Sequence, residues 1–158
     1  MSKFYGKRFV DQYTIKIAAK PNIVFPLLCP KREKEWLDGW SYEMIYSGTG
    51  LAELGCAFKT DRPGQGEAYW LMTKHVPNTQ AEYTRFLPNL LISVFSMRLS
   101  EQGGTTTIIE MTYTTTSLSE QGNEFITRYR AAYEKNSSWL ENALSHFIQT
   151  GNILKKPQ

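Results

Sequence analysis

The residues best placed to do chemistry come early in the chain: Arg32, Glu33, Trp36 and Trp40. On a helix Glu33 and Trp36 share a face. A carboxyl group kept from water by indole rings favours its neutral form, so its pKa rises and it can serve as an acid or a base. The same carboxyl can instead anchor its segment by hydrogen bonds to backbone or to Trp40, with the indoles filling core. That structural reading is preferred, because perturbed carboxyls also occur in purely structural networks.

A second constellation is Trp70, Tyr83, Met97, Met111, Tyr113, Tyr129 and Tyr133. Methionine adapts its shape to an irregular hollow, and tyrosine adds a hydroxyl that orients a guest's polar end. With Trp36 and Trp40 these residues form a candidate apolar ligand site. The alternative is that the rings pack on one another and leave no space. Asn136 favours the site, since an amide on the inward stripe of a helix needs partners once buried, and a ligand or trapped water would supply them.

Other chemistries are poorly served. Gly48-Thr49-Gly50 begins like a dinucleotide fingerprint, but Glu53 occupies the third glycine position and no apolar-periodic helix follows, so a turn is expected. His75, His146, Cys29 and Cys56 lack metal-ligand spacing, and neither a metal nor a cofactor is expected. There is no Gly-x-Ser-x-Gly elbow, and Cys29 has no histidine partner evident in the sequence.

Eighteen Lys plus Arg against 15 Asp plus Glu leave a net charge of +3, and the signs are interspersed, as from Lys31 to Glu35. Nucleic acid would find no sustained basic face. No stretch approaches the ~18 unbroken apolar residues of a membrane span. Met1 to Tyr13 carries Lys3, Lys7, Arg8 and Asp11 and does not read as a secretory leader, so a cytoplasmic location with Cys29 and Cys56 as reduced thiols is expected.

These side chains must be positioned by the elements around them. Phe9 to Ala18 alternates as a half-buried strand, with Phe9, Tyr13, Ile15 and Ile17 on one side. Pro21 and Pro30 each suit a first helical position, predicting short helices through Leu28 and Leu37, with Gly39 as the stop. Strand-like runs follow at Tyr42 to Ser47, Ala57 to Thr60, Glu67 to Val76, Gln80 to Leu87, Leu91 to Gln102 and Thr106 to Thr116, separated by Gly, Pro and Asn turns.

In the last hairpin a three-residue loop, Gly103 to Thr105, would oppose Met97 to Met111 and Arg98 to Glu110, turning Phe95, Met97, Leu99, Ile109, Met111 and Tyr113 inward. The Glu67 to Leu87 hairpin stays open, because Trp70, Met72, Tyr83 and Arg85 compete with Tyr69, Leu71 and Phe86 for the inner face. Ser117 to Glu120 has capping-box spacing, and a helix then runs to Gly151. Its inner stripe is Phe125, Tyr129, Ala132, Tyr133, Asn136, Leu140, Ala143, Leu144 and Phe147. No repeat or linker divides residues 1–158, which read as a single domain.

This order of elements is accompanied by a distinctive segment: Pro26-Leu27-Leu28-Cys29-Pro30, Arg32-Glu33, Trp36, Gly39-Trp40, Tyr46-Ser47-Gly48 and Ala52 to Phe58, with later matches at Tyr69-Trp70, Tyr113 to Thr116 and Gly122-Asn123. From about Phe9 to Gly151 the chain resembles an uncharacterised bacterial branch of the SRPBCC superfamily, which includes START domains, pathogenesis-related allergens and polyketide cyclases. The resemblance implies an α+β helix-grip fold: a curved seven-stranded antiparallel sheet around a long C-terminal helix, two short helices after the first strand, and a cavity between sheet and helix. It implies no particular activity, since one fold hosts carriers, sensors and enzymes.

Three functions follow in order of preference. The first is binding of a small hydrophobic or amphipathic molecule oriented by Tyr129, Tyr133 and Asn136. The second is a cyclase-like or hydrolytic enzyme using Glu33 or a tyrosine. The third is a protein-interaction module with a patch near Trp36 and Trp40.

Overall fold

Alternation along the chain sets the sheet. The computed structural model describes residues 3–158; Met1 and Ser2, which begin the segment read as too charged for a leader, lie outside them. The strands are β1 (Arg8–Ile17), β2 (Glu43–Tyr46), β3 (Ala57–Arg62), β4 (Gly66–Val76), β5 (Gln80–Leu87), β6 (Leu91–Gln102) and β7 (Thr106–Ser117). They form one antiparallel sheet in the order β1-β7-β6-β5-β4-β3-β2. With the long helix α3 (Glu120–Thr150) against it and short helices after β1, this is the helix-grip fold. No helix among the described residues is long and apolar enough to cross a membrane.

The β6–β7 hairpin has the three-residue register, with Met97 opposite Met111 and Arg98 opposite Glu110. Gly103 and Gly104 both have positive φ, 62° and 75°, which explains two glycines in the loop. In the β4–β5 hairpin the inner face belongs to Ala68, Trp70, Met72, Ala81, Tyr83, Arg85 and Leu87, while Tyr69, Leu71 and Phe86 are exposed. The pairing slips by one residue between Met72 and Lys74. Such a bulge reverses the side-chain parity along β4, so a strict period of two cannot sort both ends of the strand.

The short helices are shorter than the proline spacing predicts. α1 covers Pro21–Val24, Phe25–Leu28 is a single 3-10 stretch, and α2 covers Pro30–Glu33 before the chain turns toward Leu37. Pro26 has no N–H to continue the α ladder of α1. The turn after α2 is fixed by two indoles: Trp36 Nε1 donates to Leu27 O and Trp40 Nε1 to Pro30 O, each at 2.8 Å.

Nor does Ser117 cap α3. Its place is in the β7 ladder opposite Leu91, where its hydroxyl accepts from Lys7 N at 2.8 Å. Ser119, with extended backbone, is the cap, and its Oγ accepts from Gly122 N at 3.0 Å. A Cβ on Gly122 would stand 2.0 Å from Leu90 O, so only glycine lets the helix start press onto the β5–β6 turn. The helix stops where expected, at left-handed Gly151, whose N–H reaches Phe147 O at 2.7 Å. Its buried face includes Ile126 and Ser137, which the expected stripe omits, whereas Asn136 is exposed.

Candidate functional site

The site begins with where α3 is fastened. Its backbone runs closest to the edge strand β1 and to β7. Arg130 clamps it there with a forked contact to Asp11, Nη2 to Oδ1 at 2.8 Å and Nε to Oδ2 at 3.0 Å, and the guanidinium lies 4.5 Å from the Phe9 ring centre. Asp11 belongs to the β1 face that carries Phe9 and Tyr13.

The core then falls into two clusters. One gathers Phe125 and Ile126 with Ala68, Leu87 and Leu91; the other gathers Ala143 and Leu144 with Trp36, Phe58, Met72, Tyr83, Met97 and the short helices. Trp70 packs against both. A cavity of about 390 Å³ is lined from both sides by residues of α3 and of the sheet, and by the segment after α2. That volume falls in the range of small-molecule sites.

Its sheet wall follows from cross-strand register. Phe58, Trp70, Arg85 and Ser93 stand successively opposite one another across β3, β4, β5 and β6, and Met72, Tyr83, Phe95 and Tyr113 form the next row across β4 to β7. Aromatic stacking stiffens this wall. Phe58 and Trp70 are parallel at 5.5 Å, Phe95 and Tyr113 at 4.5 Å, and Tyr133 from the helix continues the second stack at 4.7 Å from Tyr113. Trp70 Nε1 is satisfied by Thr60 Oγ1 at 3.0 Å.

The mouth is polar: Asp38, Arg62, Gln65, Asn136 and Lys156 line it together with Trp40, which stacks on Tyr42 and carries the Arg62 guanidinium 5.2 Å from its ring. Asp38 is held below the usual carboxylate range, chiefly because it accepts from Lys156 N at 2.9 Å.

Glu33 lines this cavity. Burial pushes its carboxyl from 4.5 up to about 7, with the Arg62 guanidinium pulling the other way. Burial also drives the Tyr83 hydroxyl well above its ordinary value, and a negative Glu33 adds to the effect. Tyr113 is raised by burial, so both phenols stay protonated and available as donors. Tyr83 Oη, Trp139 Nε1 and Arg85 Nε are buried with no hydrogen-bond partner among the described residues.

Trp40, Trp70, Tyr83, Met97, Tyr113, Tyr129, Tyr133 and Asn136 are thus brought to one cavity with Glu33. Trp36 and Met111 are not. Each is 1% exposed and packed in the core, Trp36 with its indole bonded to Leu27 O and Met111 on β7 opposite Met97. Trp36 is buried and Trp40 is half-buried, so of the two indoles named for an interaction patch only Trp40 reaches the surface. Asn136 is exposed at the cavity rim, so burial does not oblige its amide to find a ligand.

The sequence left Arg85 among the rivals for the inner face of the β4–β5 hairpin and did not place it in the cavity, which it lines. The available signal was its parity with Tyr83. A second hollow of about 290 Å³ was also missed; Phe25, Cys29, Arg32, Met72, His75 and Ala81 are among its walls. Cys29 and Cys56 are both buried and unbridged. Among the described residues no group of three His, Cys, Asp or Glu is placed to hold a metal ion. Gly48 to Gly50 is a turn closed by Glu53, whose carboxylate accepts from Ser47 Oγ and Thr49 N at 2.7 Å each.

This architecture, with a cavity between sheet and helix, is the helix-grip fold. Among solved structures, the chain is similar to the ZhuI aromatase/cyclase from Streptomyces sp. R1128, with TM-score 0.70 and 13% identity over 94% of this chain and 100% of that one. Norcoclaurine synthase from Thalictrum flavum matches at TM-score 0.69 and 12% identity, over 92% and 88% of the two chains. The Mll3558 protein from Rhizobium loti matches at TM-score 0.67 and 16% identity, over 90% and 98%. At these identities the likeness is one of fold. No family model matches the sequence, and no curated protein matches it.

Proposed function

We propose that the chain binds a small hydrophobic or amphipathic molecule between its sheet and α3. The observation that carries this reading is the cavity of about 390 Å³, walled by stacked aromatic rings and holding buried polar atoms without partners. Apolar burial at about 25 cal/mol per Å² supplies affinity, and the tyrosine hydroxyls orient the guest. A solved norcoclaurine synthase in complex with dopamine and hydroxybenzaldehyde has the same fold, which supports the reading by analogy. Two buried, unbridged thiols fit a reducing compartment such as the cytoplasm.

The test is native mass spectrometry of freshly purified chain, with and without added 2-naphthylmethanol. A retained small molecule or a one-to-one complex is expected. Asn136→Trp, at an exposed rim position, should plug the mouth and weaken naphthylmethanol binding at least about tenfold without lowering Tm. A chain that neither carries nor takes up a small molecule refutes the proposal.

One observation favours a second reading, an enzyme of cyclase-like or hydrolytic type in the same cavity. Glu33, poised at about 7 beside protonated phenols, is suited to donate or accept a proton near neutral pH. Turnover of p-nitrophenyl butyrate with an inflection near that pH, lost in Glu33→Gln, would support it. Turnover indifferent to Glu33→Gln removes Glu33 from the role.

A further inference from the structure

We infer that the cavity selects an anionic aromatic guest, an aromatic carboxylate whose acid group pairs with the Arg85 guanidinium. The inference rests on the small-molecule reading above and adds the ligand's chemical class. Arg85 projects from β5, the central strand of the sheet, toward the concave side, between Trp70 on β4 and Ser93 on β6. Its guanidinium sits 5.4 Å from the Trp70 ring centre and lines the cavity.

The ion pairs of the described residues join Arg32 to Glu35, Lys59 to Glu43 and Glu67, Arg130 to Asp11 and Lys155 to Asp38; Arg85 belongs to none. Its Nε is buried without a hydrogen-bond partner among the described residues. After burial, the groups that act on it most are the hydroxyls of Tyr133, Tyr113 and Tyr129 and a second cation, Arg62, none of them a carboxylate. Glu33, on the same cavity, is influenced by Arg62 rather than Arg85.

Arginine does not shed its proton in a protein, so half-burial at the cavity wall leaves a cation outside the ion pairs of the described residues. Such a charge is costly unless paired. A planar fork of N–H donors answers two oxygens of a carboxylate, and the parallel rings of Trp70 and Phe58 beside it offer a flat apolar body its contact surface. Of the cations lining the cavity only Arg85 is half-buried beside Trp70, while Arg62 and Lys156 are exposed, so the interior suits a monoanion better than a phosphate, which is served by several converging donors.

The experiment measures binding of 2-naphthoate, 2-naphthylmethanol and 2-naphthyl phosphate to the full chain by quenching of tryptophan emission. Naphthoate should bind at least about tenfold tighter than the alcohol and tighter than the phosphate. Arg85→Met should weaken naphthoate about tenfold to a hundredfold while holding the alcohol within about twofold, which shows that the cavity is intact. Arg85→Lys should recover part of the preference, because charge remains and the fork is lost. Equal affinity for naphthoate and the alcohol, an undiminished preference in Arg85→Met, or tighter binding of the phosphate overturns the inference and leaves the small-molecule reading standing. Failure of all three probes to bind overturns both.

Discussion

Replacing Glu33 by Gln keeps the side chain's size and removes its titration, so it isolates what the buried carboxyl does to stability. In the unfolded chain the group titrates near 4.5; in the folded chain burial lifts it to about 7. The folded state therefore holds the proton more tightly. Its contribution is fully present below the unfolded value, declines as pH rises from about 4.5, and is lost once pH passes about 7. Each pKa unit corresponds to about 1.4 kcal/mol, so the whole effect is roughly 3 kcal/mol at most, since Glu33 also meets the solvent of the cavity.

About 2.5 kcal/mol of it falls between pH 5 and pH 8, or roughly 5 to 10 °C in Tm for a chain of this size. Urea unfolding of both proteins across that interval measures it. Wild type should lose stability relative to Glu33→Gln as pH rises, with unchanged dependence on urea concentration. Arg62→Met, which removes the cation opposing the shift, should move the wild-type transition to higher pH. Parallel stability curves for wild type and Glu33→Gln would refute the reasoning, because a carboxyl buried as the structure places it cannot titrate as it does in water.

Three further outcomes are expected. Trp36→Phe loses the 2.8 Å bond to Leu27 O and should cost about 1 to 3 kcal/mol by chemical denaturation, yet leave naphthylmethanol affinity unchanged because Trp36 does not line the cavity. Gly122→Ala drives a Cβ to 2.0 Å from Leu90 O and should cost about 2 kcal/mol or more, read as a lowered Tm with early exchange of amides in the first turn of α3. Arg130→Met should cost about 1 kcal/mol, mostly recovered at high salt in the wild-type comparison, since the Asp11 pair is partly exposed and screened.

Local chemistry was enough for the order of elements. Alternation marked the strands, proline and glycine marked their breaks, and Gly103 to Thr105 with the Met97 and Met111 pattern determined the last hairpin's register, because side-chain period and turn length act over a few residues. The end of α3 at Gly151 was legible for the same reason. What lay beyond the sequence were choices made between distant parts. Both faces of the β4–β5 hairpin carry large apolar side chains, and a bulge after Met72 breaks the parity between its ends, so only the sheet's curvature around α3 decided that Trp70, Tyr83 and Arg85 face inward. The capping-box spacing pointed to Ser117, but the ladder to Leu91 claimed it and left Ser119 to cap the helix. Trp36 and Trp40 lie four residues apart, yet one is sealed by Leu27 and the other stands at the mouth, a difference of tertiary packing. The unpaired guanidinium of Arg85 belongs to this second kind. Its type and strand position are written in the chain, but its place outside the ion pairs of the described residues exists only once seven strands and a helix have closed around it.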